Sequence, residues 1–132
     1  MKTTISTLAI LILMTRMLIA CNPAAADLLQ IGEQEAGKTI EMKTGDTLVV
    51  SLDGNITTGF NWIPAHQNPA LLEQVGDTEV TPANDELGAP GKIVLKFKAA
   101  AQGETTLHLD YKRAWEQNTA PEKTYEVTVV VK

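Results

Sequence analysis

Four stretches of the chain alternate apolar and polar residues with a period of two. Thr47 to Asp53 sets Leu48, Val50 and Leu52 on one face, and Lys92 to Lys98 does the same for Ile93, Leu95 and Phe97. Thr105 to Lys112 aligns Leu107, Leu109 and Tyr111, and Thr124 to Lys132 aligns Tyr125, Val127, Val129 and Val131. Successive side chains point to opposite faces in a strand, so this pattern predicts half-buried β-strands with the named residues inward. Leu28–Glu33, Lys38–Met42, Phe60–Pro64 and Leu71–Val80 carry the signal more weakly, with Trp62 a core residue. Glu35 to Lys38, Lys43 to Asp46, Asp53 to Asn55 and Gln102 to Glu104 each place a glycine among polar residues and read as turns. No segment sustains a helical period over ten residues.

Many short strands at near-regular spacing predict an all-β domain, an immunoglobulin-like antiparallel β-sandwich of about seven to eight strands. There is no Cys–Trp–Cys pattern of the antibody type. Strand parity locates the loops. Strands at 46–53, 60–64, 71–80, 91–99, 104–112 and 123–131 carry the chain back and forth. The connections at 54–59, 82–91 and 113–122 therefore fall at one end, provided 71–80 is a single pass. The turn at Gly103 falls at the other.

The chain has 132 residues, one domain's worth. Residues 1–21 read as an export signal: Lys2, then the apolar run Ile5 to Met14, then Leu18-Ile19-Ala20-Cys21. That last tetrad is similar to the lipobox of bacterial lipoproteins, in which the cysteine is acylated. Ala24-Ala25-Ala26 before Asp27 fits ordinary signal cleavage instead, and Arg16 interrupts the apolar run, so both processing routes stay open. Residues 22–27 are a short linker and 28–132 the folded domain. Either route puts the protein in the bacterial envelope, as a lipoprotein anchored at Cys21 or as a periplasmic protein.

Cys21 is the sole cysteine, which excludes an intrachain disulfide and a thiolate metal site. His66 and His108 lie far apart, nothing shows metal-ligand spacing, and no cofactor is expected. The formal charge of −5 becomes −7 once Lys2 and Arg16 are removed, a poor balance for nucleic acid. An enzyme would need a nucleophile beside a base. His108, between Leu107 and Leu109, points to the outer face of its strand, and no such pair is evident.

The three loops at the common end have distinctive compositions. The first holds Asn55, Ile56, Thr57, Thr58, Gly59 and Phe60, with Gly59 placed to supply positive φ. The second runs Pro82 to Gly91, long for a structureless connection, with Leu87 out of the strand pattern. Phosphate cradling there is disfavoured, since no helix follows and Asp85 and Glu86 would repel the anion. The third has Arg113 and Trp115 among polar residues, a pairing common in binding hot spots. Trp115 folded back over the sandwich edge, with Arg113 stacked on it, is the plainer reading.

Asn55-x-Thr57-Thr58-Gly59-Phe60, Gly88-x-x-Gly91 and Arg113-x-Trp115, in this order, resemble the motifs of the chagasin-like inhibitors of cysteine peptidases. Ile56 and Ala114 stand where that family has proline, and Pro90 where it has the first glycine of a pair; these bear on loop stiffness. The resemblance implies a monomeric, reversible, non-covalent inhibitor whose partner is a papain-family cysteine peptidase. It implies that Thr57 and Thr58 sit over the catalytic Cys–His pair. It further implies that Gly88, Ala89, Pro90 and Gly91 run along one side of the cleft, with Arg113 and Trp115 on the other. The alternative is an immunoglobulin-like envelope lipoprotein that holds another protein or a polysaccharide with the same loops.

Overall fold

The structure is a computed structural model that describes residues 25–132. The signal segment, Cys21 and the first half of the linker lie outside the described residues. The described chain forms nine strands: β1 (Leu28–Ile31), β2 (Thr39–Met42), β3 (Thr47–Gly54), β4 (Phe60–His66), β5 (Leu72–Gln74), β6 (Glu79–Pro82), β7 (Gly91–Ala99), β8 (Gly103–Arg113) and β9 (Lys123–Val131). Helical structure among these residues is limited to two 3-10 turns, Glu33–Glu35 and Ile56–Thr58.

The strands form a sandwich of two sheets. One has the order β1-β3-β7-β5, with β6 continuing along β7 after β5; the other has the order β2-β9-β8-β4. The expected alternation closes the core. Leu48, Val50, Leu52, Ile93, Leu95, Phe97, Leu107, Leu109, Val127 and Val129 are all fully buried between the sheets. At about 25 cal/mol per Å² of apolar surface removed from water, these ten side chains are the main source of stability.

The structure corrects the expected sandwich in two respects. The sheets are mixed rather than purely antiparallel, because β1 pairs parallel with β3 and β2 parallel with β9. The chain crosses between sheets after β1 and again after β2, so neither can form a hairpin with its neighbour. The strand count is nine because 71–80 breaks at Gly76, whose φ of +70° ends β5. The two pieces still run one way along β7, Leu72 opposite Ala99 and Pro82 opposite Gly91. The segment is therefore one interrupted pass, and the loop parity holds.

Entry to β1 is pinned by Asp46, almost wholly buried, whose carboxylate accepts the backbone N–H of Asp27 (2.9 Å) and of Lys43 (2.8 Å). These bonds hold its carboxyl below the ordinary aspartate range, the Lys43 amide contributing most. Tyr125 donates its hydroxyl to the Gly32 carbonyl (2.8 Å), and burial pushes its pKa up to about 12. Trp62, in the core, donates its indole N–H to the Asp53 carbonyl (3.0 Å) and packs on Tyr111 at a centroid distance of 5.1 Å.

Candidate functional site

The connections β3–β4, β6–β7 and β8–β9 meet at one pole and bond to one another. Asn55 is the junction. Its amide nitrogen donates across to the Gly88 carbonyl (2.9 Å), tying the first loop to the second. Its side-chain oxygen accepts the Thr57 backbone N–H (3.1 Å) and the Thr57 hydroxyl, capping the 3-10 turn. This is the Asx capping that makes asparagine favoured where a helical turn begins. Its carbonyl accepts the Thr58 hydroxyl (2.7 Å), and its own N–H is donated to the Tyr111 hydroxyl (3.0 Å), anchoring the loop to the core. Gly59 closes the turn at φ +83°, donating its N–H to the Ile56 carbonyl (2.9 Å).

Arg113 ties the third loop to the first. Its Nε donates to the Thr58 carbonyl (3.0 Å), its guanidinium lies 4.4 Å over the Phe60 ring, and it pairs with Glu116 at 3.3 Å. Phe60 in turn stacks on Tyr111 with centroids 5.2 Å apart. A column Arg113–Phe60–Tyr111 thus runs from the surface loops into the core. Trp115 is 68% exposed and rests its ring edge on Gly59. A Cβ at Gly59 would stand 2.3 Å from that ring, so the glycine is required both for its φ and for the tryptophan's seat. Arg113 stacks on Phe60, not on Trp115.

Asn55, Thr57, Thr58, Gly59, Gly88 and Trp115 are therefore neighbours, with Thr57, Thr58, Gly88 and Trp115 exposed. Ala89 is half-buried and Pro90 exposed on the second loop. Phe60 and Gly91 differ. Phe60 is half-covered beneath Arg113, and Gly91 is buried, where a Cβ would meet the Thr81 carbonyl at 2.4 Å. Gly91 lets β6 lie tightly on β7. Sequence reasoning missed the role of Tyr111, which reads only as an inward strand residue, and the Glu116 partner of Arg113. Only the spacing of Arg113 and Glu116, three apart, carried a signal. Among the described residues no cluster of three or more His, Cys, Asp or Glu could hold a metal ion.

The family model "Chagasin family peptidase inhibitor I42" matches residues 41–129, about two thirds of the chain. The crystal structure of the cysteine protease inhibitor EhICP2 from Entamoeba histolytica superposes with a TM-score of 0.71 at 22% identity, covering 82% of this chain and 98% of that one. Leishmania mexicana ICP is 30% identical, with a TM-score of 0.57 over 74% of this chain and 90% of its own. PbICP-C, solved in complex with falcipain-2, shares the fold at 18% identity and a TM-score of 0.53, over 81% of this chain and all of that one.

Proposed function

The chain belongs to the chagasin family of peptidase inhibitors, not to a family of enzymes, and we propose that its three bonded loops plug the cleft of a papain-like cysteine peptidase reversibly and without covalent chemistry. The observation that carries this reading is the lattice of Asn55 and Arg113, which joins all three loops before any partner arrives. A surface already ordered loses little conformational entropy on binding.

The first loop lies over the catalytic Cys–His pair. It resists cleavage because it does not present a peptide for attack. Residues 56–58 form a closed 3-10 turn, and the Thr58 carbonyl is already held by Arg113. Gly88, Ala89 and Pro90 border one side of the cleft and Trp115 the other. Phe60, Gly91 and Arg113 support the contact surface from below. The inhibitor acts as a monomer toward its peptidase, as PbICP-C is seen in complex with falcipain-2.

Placement of the chain outside the cytoplasm rests on residues 1–21 read as a signal and on Cys21 as the lipidated residue, with cleavage after Ala26 as the other route. The bacterial envelope reading stands on the lipobox-like tetrad alone, since the relatives with stated sources come from Entamoeba and Leishmania. No helix among the described residues is long and apolar enough to cross a membrane. The parallel pairing of β1 with β3 puts Leu28 opposite Thr47, at the pole away from the loops. A chain held by its N-terminal segment therefore presents the loops outward.

Titration of the mature domain against papain, with trypsin as control, tests the reading. Papain is inhibited and trypsin is not. Trp115→Ala, removing a large exposed ring, weakens papain inhibition at least tenfold with unchanged melting temperature. Wild type that leaves papain fully active refutes the proposal; Trp115→Ala and Thr58→Ala that each inhibit papain as well as wild type refute the assigned roles.

A further inference from the structure

Six large apolar residues are exposed among the described residues: Leu28, Ile56, Val75, Val80, Leu87 and Trp115. Four of them, Ile56, Val80, Leu87 and Trp115, lie at or beside the loop pole; Trp115 is a motif residue, Ile56 stands where the family motif has proline, and Val80 and Leu87 lie outside the motifs. Exposed apolar surface concentrated in one place marks an interaction site, whereas scattered residues do not.

Ile56, Val80 and Leu87 are not scattered. With Pro82, Ala89 and Thr57 they line a groove of about 340 Å³ between the first loop and the second. Its floor is the backbone of Gly54 and Gly91, which face each other across β3 and β7. The Asn55–Gly88 bond spans its two walls, and the second loop is braced internally by Glu86 N–H to Asn84 (3.0 Å) and Ala89 N–H to the Glu86 carbonyl (3.2 Å). The groove is thus a pre-formed concavity, at the small end of the range for ligand sites. Leu87 makes its outer lip and is fully exposed, at 104% of its reference area.

We propose that this groove takes up one apolar side chain from the rim of the target peptidase's cleft, and that Ile56, Val80 and Leu87 thereby select among papain-like enzymes. The proposal rests on the inhibitor reading above and deepens it. The groove shares Thr57 and Gly88 with the plugging surface, so a peptidase seated on the loops must bring its rim against it. The walls carry three hydrogen-bonding side chains, Asn55, Thr57 and Glu86, so an apolar residue is accepted while an acidic one loses solvation and meets the Glu86 carboxylate. The motif loops recognise what papain-like clefts share. Val80 and Leu87 lie outside the motifs and Ile56 departs from the motif's proline, so these three side chains recognise what differs, and specificity is such a difference of affinities.

Inhibition constants for Val80→Thr and Leu87→Ser, measured against papain and a second papain-like peptidase with an acidic residue at the equivalent rim position, test this. Both substitutions are at exposed positions, and a melting curve checks folding. Each variant weakens papain inhibition about tenfold while changing the second enzyme less than threefold. Val75→Ser, at an exposed apolar residue away from the loops, changes neither. Unchanged papain inhibition by both variants, with Trp115→Ala still impaired, overturns the groove and leaves the inhibitor reading intact. Equal losses against both enzymes overturn its role in selection. Wild type inactive on both peptidases overturns the inhibitor reading itself.

Discussion

Asn55→Asp separates the two jobs of the junction residue. The substitution keeps the acceptor that caps Thr57 but replaces the amide donor facing the Gly88 carbonyl, 2.9 Å away, with a second oxygen. The turn of the first loop survives, while its tie to the second becomes a repulsion between two acceptors. An exposed hydrogen bond contributes about 1 kcal/mol net, and adding the repulsion brings the loss to roughly 1.5 kcal/mol. Both loops must be ordered in the complex, so this loss falls on binding and corresponds to about a tenfold rise in the inhibition constant. Asn55→Ala introduces no repulsion but removes both the tie and the cap, each about 1 kcal/mol, and reaches roughly thirtyfold. The bonds lie at the pole, outside the core, so the melting temperature moves by only a few degrees. The assay is papain inhibition by both variants beside thermal denaturation. An Asn55→Asp protein as potent as wild type would show that the loops are not pre-ordered by this bond. A smaller loss for Ala than for Asp would show that the cap contributes nothing.

Arg113→Lys retains the charge but loses both the planar stack on Phe60 and the Nε donor to the Thr58 carbonyl. Papain inhibition weakens about three- to tenfold, and addition of salt does not reproduce the loss, as it would for a long-range charge effect. His108 lies on the outer face of the second sheet, between Glu126 (2.8 Å) and Asp110 (3.0 Å), with Lys112 pairing the far oxygen of Asp110 and His66 opposite on β4. The Glu126 carboxylate foremost, and Asp110 after it, raise the His108 pKa above its ordinary 6.5, against a smaller opposing effect of burial. A raised folded-state pKa adds stability that is complete below pH 6.5 and is lost as pH climbs through the folded value. The melting-temperature gap between wild type and His108→Gln is therefore wider at pH 5.5 than at pH 8.5. A gap independent of pH would sink this assignment.

The four long strands and their inward residues were legible in the chain because period-two alternation fixes which side of a strand is buried, and a one-residue slip would expose the whole set. The convergence of the loops followed from parity alone, since antiparallel passes return to the same end. The tertiary structure decided what pattern cannot carry. Edge strands β1 and β2 run parallel to their neighbours, a pairing set by where the chain crosses between sheets. The family resemblance implies that Phe60 and Arg113 face the peptidase; only the packing shows that they also stack over Tyr111 as a column into the core. Trp115 stays exposed because Gly59 leaves room for its edge, and the groove of Ile56, Val80 and Leu87 exists only where two loops distant in sequence stand side by side. Sequence specifies each strand through local alternation; the site depends on hydrogen bonds and contacts between residues as far apart as Asn55 and Gly88, which only the closed sandwich brings within reach.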